Sequence, residues 1–486
     1  MKIYLLNAPF VNNFVRCGRW QGVAARGGTL YFPIWLSYST GVLEEAGHTV
    51  KLVDAIANKL DMDQILKDVD HFKPDMVVVD SNFSSLTNDC NIAKSISDYS
   101  GAISVLVGPP ASQFSNEIII KGVNIVARYE YDLTLREVAN CIDAGENLED
   151  IQGISYCENK KIKHNVDRAL STSEELDKIP FVSSVYKNHL NIKDYFLGHA
   201  LHPMVQIFTG RGCPNQCTFC SWPETLMGRK YRIRSTKNVV DEFEYISKNI
   251  KYVKEIFIED DTFTITKKRV KQICDEIKER DLKITWSCNA RANLDYETMK
   301  MMAESGCRLL DVGFESGNEK ILKSIKKGIT KEEGIKFMKD ANRAKLMVLA
   351  DFIFGLPGET KETAKETINY AKKLKPNIVQ FAVATPIPGT AFYDFCKSNG
   401  FLLTNSLEGS IDVNGFQKCI VSYPSFTNED IQTSVNNALK EYYLSINYIP
   451  IFIKTILRKD GFRELQNIAI SAKVFLNYLY RQGNKK

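Results

Sequence analysis

The chain has 486 residues, 44% hydrophobic and 25% charged, which supports two or three ordinary cores and excludes a disordered chain. A net charge of +5 is too weak to suggest a nucleic-acid partner, and no uncharged apolar run is long enough to span a membrane. The opening MKIYLLNAPF reads as a strand rather than a signal peptide, and twelve cysteines in an unexported chain predict reduced thiols and a cytoplasmic protein.

In chain order, residues 1–145 alternate short apolar runs (2–9, 50–55, 76–81, 102–110, 124–130) with helical patterns (34–46, 61–71, 87–99). That alternation predicts βαβ units and a parallel sheet of the Rossmann or flavodoxin-like kind. No GxGxxG follows the first strand, so a dinucleotide site is not expected. Residues 146–200 read as a linker carrying a hairpin with ENKK at its turn. From 201 to 427 a second series has strands at 204–210, 255–260, 283–290, 308–316, 348–357 and 378–386, predicting a partial (β/α)6 barrel. Its strand ends collect TGRG, EDDTF, NARAN, ESGN, GLPGET and TPIPGT, and that rim is where βα barrels keep their chemistry. Residues 428–486 read as a helical region.

The loop RGCPNQCTFCSWPETLMGRKYRIRS places Cys213, Cys217 and Cys220 at C-x3-C-x2-C after the first strand of the second series. Zinc normally takes four protein ligands, and the next cysteine is Cys274. Three thiolates with one metal vertex left open suit an iron–sulfur cluster that binds a further ligand. Three adventitious core cysteines would not crowd a polar loop in this way.

On these residues the chain resembles the radical S-adenosylmethionine (SAM) superfamily, with Phe219 at the aromatic position before the last cysteine. The resemblance implies that the three cysteines hold a [4Fe–4S] cluster whose fourth iron is chelated by the amino and carboxylate groups of SAM. The first domain resembles the cobalamin-binding domain of one large subclass. VYKNHLNIKDYF, the cysteine loop and FGLPGETKET together resemble hopanoid-biosynthesis radical SAM proteins of the HpnJ type. The activity implied is reductive cleavage of SAM to a 5′-deoxyadenosyl radical that isomerises, ring-contracts or dehydrates a polyol or sugar moiety, small or lipid-linked. A flavodoxin or ferredoxin is the implied electron donor. The alternatives are a cobalamin-dependent C-methyltransferase and a non-catalytic iron–sulfur or cobalamin-binding regulator.

The same resemblance assigns the remaining site residues. One of Glu259, Asp260 and Asp261 would hold the SAM ammonium, against the plainer reading of a helix cap. Arg291 would meet the SAM carboxylate or ribose, against a surface ion pair. Glu315, Ser316 and Gly317 match the Gly-x-Glu-Ser-Gly pattern associated with the ribose, against a cap and turn. Arg16, Arg19 and Arg26 on a Gly/Arg-rich loop could face a phosphate or polyol, and Arg232 or Arg234 the cluster cavity. The other nine cysteines read as buried fillers. The cobalamin motif Asp-x-His-x-x-Gly is absent, and none of the six histidines lies where it would. Cobalamin is therefore expected without a histidine ligand, or not at all. Residues 440–486 carry nine Lys/Arg against three Asp/Glu, a local +6, beside aromatic and aliphatic side chains. That predicts peripheral contact with the inner membrane face or a lipid.

Overall fold

The computed structural model describes residues 1–18, 22–404 and 406–483, with side chains to residue 474. Two sheets organise it. The first runs in the order Thr49–Asp54, Lys2–Asn7, Met76–Asp80, Ile103–Val107, Ile125–Ala127, Ile154–Glu158, Lys161–His164. Numbered along the chain, its five parallel strands lie 2-1-3-4-5, the flavodoxin-like order. The expected hairpin is present, but it pairs antiparallel with Ile125–Ala127 and extends this sheet instead of lying in the connector. Val77, Val78 and Val79 are fully buried, as a strand covered on both faces requires.

The second sheet has six parallel strands in sequential order: Met204–Ile207, Glu255–Ile258, Trp286–Ala290, Cys307–Glu315, Met347–Phe354 and Ile378–Val383. We refer to them as barrel strands one to six. Strands one and six do not pair, so the barrel is open. Its outer face is apolar and packs on helices; Phe314 and Phe352, for example, meet Tyr370 of the helix Lys361–Leu374. The inner face carries polar groups. Asn289 and Asp311 are register partners, as are Gly313 and Asp351, and Asp351 and Gln380.

The C-terminal region closes the barrel below and at one side. The Tyr443 hydroxyl accepts from the Val379 amide at 2.9 Å and donates to its carbonyl at 2.8 Å on strand six. The helix Gly461–Gly483 crosses the N-terminal ends of the strands, where Glu464 pairs with Arg308 and the Asn467 amide donates to the Ala200 carbonyl. Arg308 also binds Glu255 at 2.8 Å, and all three charges are buried. Among the described residues no helix is long and apolar enough to cross a membrane.

Removing one member of a buried charge group leaves the others unpaired in low dielectric. Arg308→Ala should therefore cost about 3–5 kcal/mol. The urea midpoint should fall, and proteolysis of Gly461–Gly483 should become faster. An unchanged midpoint would mean that the triad does not hold this helix.

Candidate active site

The cysteine loop leaves barrel strand one through a two-stranded ribbon, Gly210–Arg211 paired with Arg232–Ile233. Gly212 has φ +85°, and a Cβ there would lie 2.3 Å from the Lys230 carbonyl oxygen, so the turn into Cys213 requires glycine. The Cys213 amide donates to the Gly228 carbonyl at 3.3 Å and the Thr218 amide to the Ile325 carbonyl at 3.0 Å. The loop is thereby held between its own return strand and the segment after barrel strand four. Cys213 and Cys217 are buried, Cys220 is partly exposed, and none of the three is in a disulfide. Asn215 donates to the Cys213 sulfur at 3.2 Å. Among the described residues no three His, Cys, Asp or Glu side chains converge on a single metal ion. A four-iron cluster, wider than one ion, asks for no such convergence.

Arg211, the residue before Gly212, is buried and reaches across to the first sheet's domain. It pairs with Asp132 at 2.5 Å, and its guanidinium lies 4.7 Å from the Trp35 ring centroid and 5.3 Å from that of Tyr38. Arg232, on the return strand, pairs with Glu130 at 2.8 Å. Arg234 pairs with Glu242 at 2.6 Å. Arg232 and Arg234 therefore hold the scaffold and do not present free guanidinium groups to the cluster loop. Arg16 is likewise buried, against Asp89 and Asn7, which corrects its expected role toward phosphate or polyol. Arg26 is partly exposed and engaged in a contact of its own, while Arg19 lies outside the described residues.

The three carboxylates after barrel strand two are used differently. Glu259 accepts from the Gln206 amide at 2.8 Å inside the barrel. Asp260 accepts from the Thr209 amide and hydroxyl, both at 2.6 Å, and from the Gly210 amide at 3.0 Å. Burial raises its pKa against these donors and nearby Arg269. Asp261 is only partly buried, and its neighbour Thr262 has its hydroxyl 4.0 Å from the Cys213 sulfur. The Arg291 guanidinium donates to the Lys327 carbonyl.

Glu315 ends barrel strand four at φ +64°, a left-handed conformation that costs a non-glycine residue of order 1–3 kcal/mol. One carboxylate oxygen accepts from Lys327 Nζ at 2.7 Å; the other is buried without a partner. Burial pushes the Lys327 pKa down, but Glu315 and Cys217 pull it up by more. Lys327 thus joins Glu315 electrostatically to the cysteine loop. Ser316 and Gly317 turn toward the helix Lys361–Leu374. The Ser316 hydroxyl lies 3.3 Å from that of Thr367, and the Gly317 amide donates to the same hydroxyl at 3.0 Å. A Cβ on Gly317 would lie 2.6 Å from the Glu366 carbonyl oxygen, so the glycine serves close helix packing. Phe219 is buried in the main core.

Several groups had no motif to announce them. Lys327 sits in KSIKKGIT, which reads as a solvated run. Asp351 interrupts the apolar VLADFIF, and a lone carboxylate in such a run is the signal that could have found it. Burial, then contact with Asp311, raises the Asp351 pKa far above the ordinary carboxylate range. At the end of barrel strand five, buried Glu359 accepts from the Gly355 amide at 2.5 Å and the Leu356 amide at 3.3 Å. Between the two sheets a cavity of about 230 Å³ is lined by Arg16, Cys17, Trp35, Asp80, Tyr131 and Trp222, among others. The Trp35 indole N–H and Tyr131 hydroxyl are buried without partners. Burial raises Asp80 to about 7. Of the nine remaining cysteines, Cys157 is exposed and Cys419 partly so; the rest are buried.

Burial raises Glu359 from its ordinary 4.5 to about 8. The folded chain keeps this proton over a range where the unfolded chain has lost it. The associated stability is complete below about pH 4.5 and is lost as pH rises toward about 8. Glu359→Gln should flatten this decline in thermal midpoints measured from pH 5 to 8, and an unaltered pH profile would refute the assignment.

The sequence profile of the Radical SAM superfamily matches residues 207–371. An uncharacterized methyltransferase of Pyrococcus horikoshii is 32% identical over 440 residues, covering 90% of this chain and 92% of that one. The cytidylyl-2-hydroxyethylphosphonate methyltransferase of Streptomyces wedmorensis is 26% identical over 424 residues, covering 76% and 79%. The radical SAM methyltransferase TsrM of Kitasatospora setae, solved with cobalamin and a [4Fe–4S] cluster, superposes with a TM-score of 0.70 at 15% identity over 100% of both chains. These relatives are methyltransferases, which overturns the expectation of polyol remodelling. The chain belongs to the radical SAM superfamily, whose enzymes use a [4Fe–4S] cluster and SAM.

Proposed function

We propose that this protein is a cobalamin-dependent radical SAM methyltransferase acting on a small-molecule substrate. The observation that carries the reading is the near full-length likeness to a chain described as a methyltransferase. The interdomain cavity supports it. Its unpartnered indole N–H and phenol hydroxyl suit a ligand rich in amide groups, as cobalamin is. A corrin is larger than the cavity as it stands. The lining contains no histidine. When bound, cobalamin supplies the methyl carrier and the cluster the reducing electron.

The chain's own residues then have distinct tasks. Cys213, Cys217 and Cys220 hold the cluster. Asp261 takes the SAM ammonium, since its neighbour Thr262 stands 4.0 Å from the Cys213 sulfur while Glu259 and Asp260 bond back to barrel strand one and the residues that follow it. The unpartnered Glu315 oxygen accepts from the SAM ribose hydroxyls, and Lys327 keeps that carboxylate aimed. Arg291 stays beside this site through the Lys327 carbonyl. We place the protein in the cytoplasm, consistent with twelve cysteines outside any disulfide, with a flavodoxin or ferredoxin as electron donor.

Alanine at any of the three motif cysteines should abolish iron–sulfur absorbance or SAM cleavage. Glu315→Gln should keep the cluster and weaken SAM binding by about 1–3 kcal/mol, the cost of a lost buried hydrogen bond to a charged group. Equilibrium dialysis of SAM against the cluster-loaded variant checks this; unchanged affinity would remove Glu315 from the site.

Methyl transfer itself is tested anaerobically with methyl-deuterated SAM, added cobalamin, a reductant and candidate acceptors. Mass spectrometry should find the labelled methyl group on carbon of the acceptor, together with S-adenosylhomocysteine and 5′-deoxyadenosine. Added cobalamin should quench tryptophan fluorescence, and bound cob(II)alamin should show no nitrogen splitting from a protein histidine. Deoxyadenosine with an altered but unmethylated product would overturn the reading.

A further inference from the structure

Independently of the reaction, we propose that the C-terminal helices form a docking surface for an anionic lipid bilayer, placed at the end of the barrel opposite the cysteine loop. Eight of the fifteen exposed large apolar side chains among the described residues lie between 444 and 470. Leu444, Ile446, Ile449, Ile453, Leu457 and Phe462 are between 45% and 82% exposed. The helix Ile449–Ile456 buries only Thr455. It has eight residues with a proline near its start, far too short to span a bilayer but suited to lying in the interfacial plane.

The charge around this apolar surface selects the occupant. Lys454, Arg458, Lys459 and Arg463 adjoin it, and the carboxylates nearby are engaged. Glu464 is buried on Arg308, and Asp460 pairs with Arg463 at 3.1 Å. A second copy docking through this face would bring its cations against the same cations. An anionic leaflet instead pairs with them while accepting the apolar side chains.

Position fixes the orientation. Lys454 donates to the Asn342 side chain at 3.1 Å and Arg458 to the Lys345 carbonyl, just before barrel strand five. Tyr448 donates to the Asn377 carbonyl at 3.2 Å, just before strand six. These are the N-terminal ends of the strands, whereas the cysteines follow the C-terminal end of strand one. Docking therefore holds the site on the side away from the bilayer. It anchors the enzyme, and substrate arrives from the aqueous side.

The test is co-sedimentation of the full-length, cluster-loaded protein with phosphatidylcholine vesicles, with or without phosphatidylglycerol, at low and high salt. Binding should require the anionic lipid and weaken with salt. Leu457→Ser/Phe462→Ser should remove most of it. Lys459→Gln should lower affinity about fivefold, the equivalent of roughly 1 kcal/mol per cation at an anionic leaflet. These side chains are exposed, and unchanged circular dichroism and cluster absorbance will show that the variants are folded. Hydrogen exchange on vesicles should protect 446–470 and leave 213–231 unaltered. Failure to sediment with anionic vesicles, equal sedimentation of wild type and the serine variant, self-association through this face without lipid binding, or protection at the cysteine loop would each overturn the proposal.

Discussion

The buried contact between Arg211 and Asp132 is the constraint on which the site depends. It joins the residue before the cysteine turn to the helix Asp132–Ala144 of the first domain, beneath the faces of Trp35 and Tyr38. A buried ion pair contributes little net stability, since desolvation offsets most of the attraction. What this one supplies is register. Arg232 and Glu130 repeat the link one strand away, so the ribbon carrying the cysteines cannot slide along the first domain without stranding two guanidinium groups. The wall of the interdomain cavity and the approach to the thiolates are consequently set by the same contacts.

Around that fixed loop, similar side chains acquire different duties through what lies beside them. Glu259, Asp260 and Asp261 are consecutive, yet the alternation of an extended chain sends them to different neighbours. Glu315 has a donor for only one oxygen and a conformation that the fold must impose. Strain together with an unmet acceptor is what supports the role proposed for Glu315, whereas Asp260 spends its oxygens on Thr209 and Gly210.

Much of the architecture was legible in sequence. Runs such as MVVVD and ISVLV, alternating with amphipathic stretches, announce parallel strands because only doubly covered strands are so uniformly apolar. The cysteine spacing was equally plain, since three thiolates crowded on a polar loop have few other uses. Direction was not legible. Ser316 and Gly317 face a helix because of how strand four packs, which no local pattern records. The arginines at 16, 232 and 234 look free on the page and are internal ties in space. The hairpin could have joined either sheet, since period-two alternation does not name a partner. The substrate class was misread because the motifs compared belong to the shared SAM-cleaving machinery, while substrate contacts are carried by positions without a transferable pattern.

The open barrel raises one last consequence. Strand six has no seventh strand beside it, and an exposed edge of unpaired amides and carbonyls invites a strand from another molecule. At Val379 one phenol, that of Tyr443, stands in for the missing neighbour by both donating and accepting. A side chain that imitates a strand at one position blocks templated addition there without closing the cylinder. The barrel stays open at this edge, and the chain avoids the aggregation that an unpaired edge would otherwise favour.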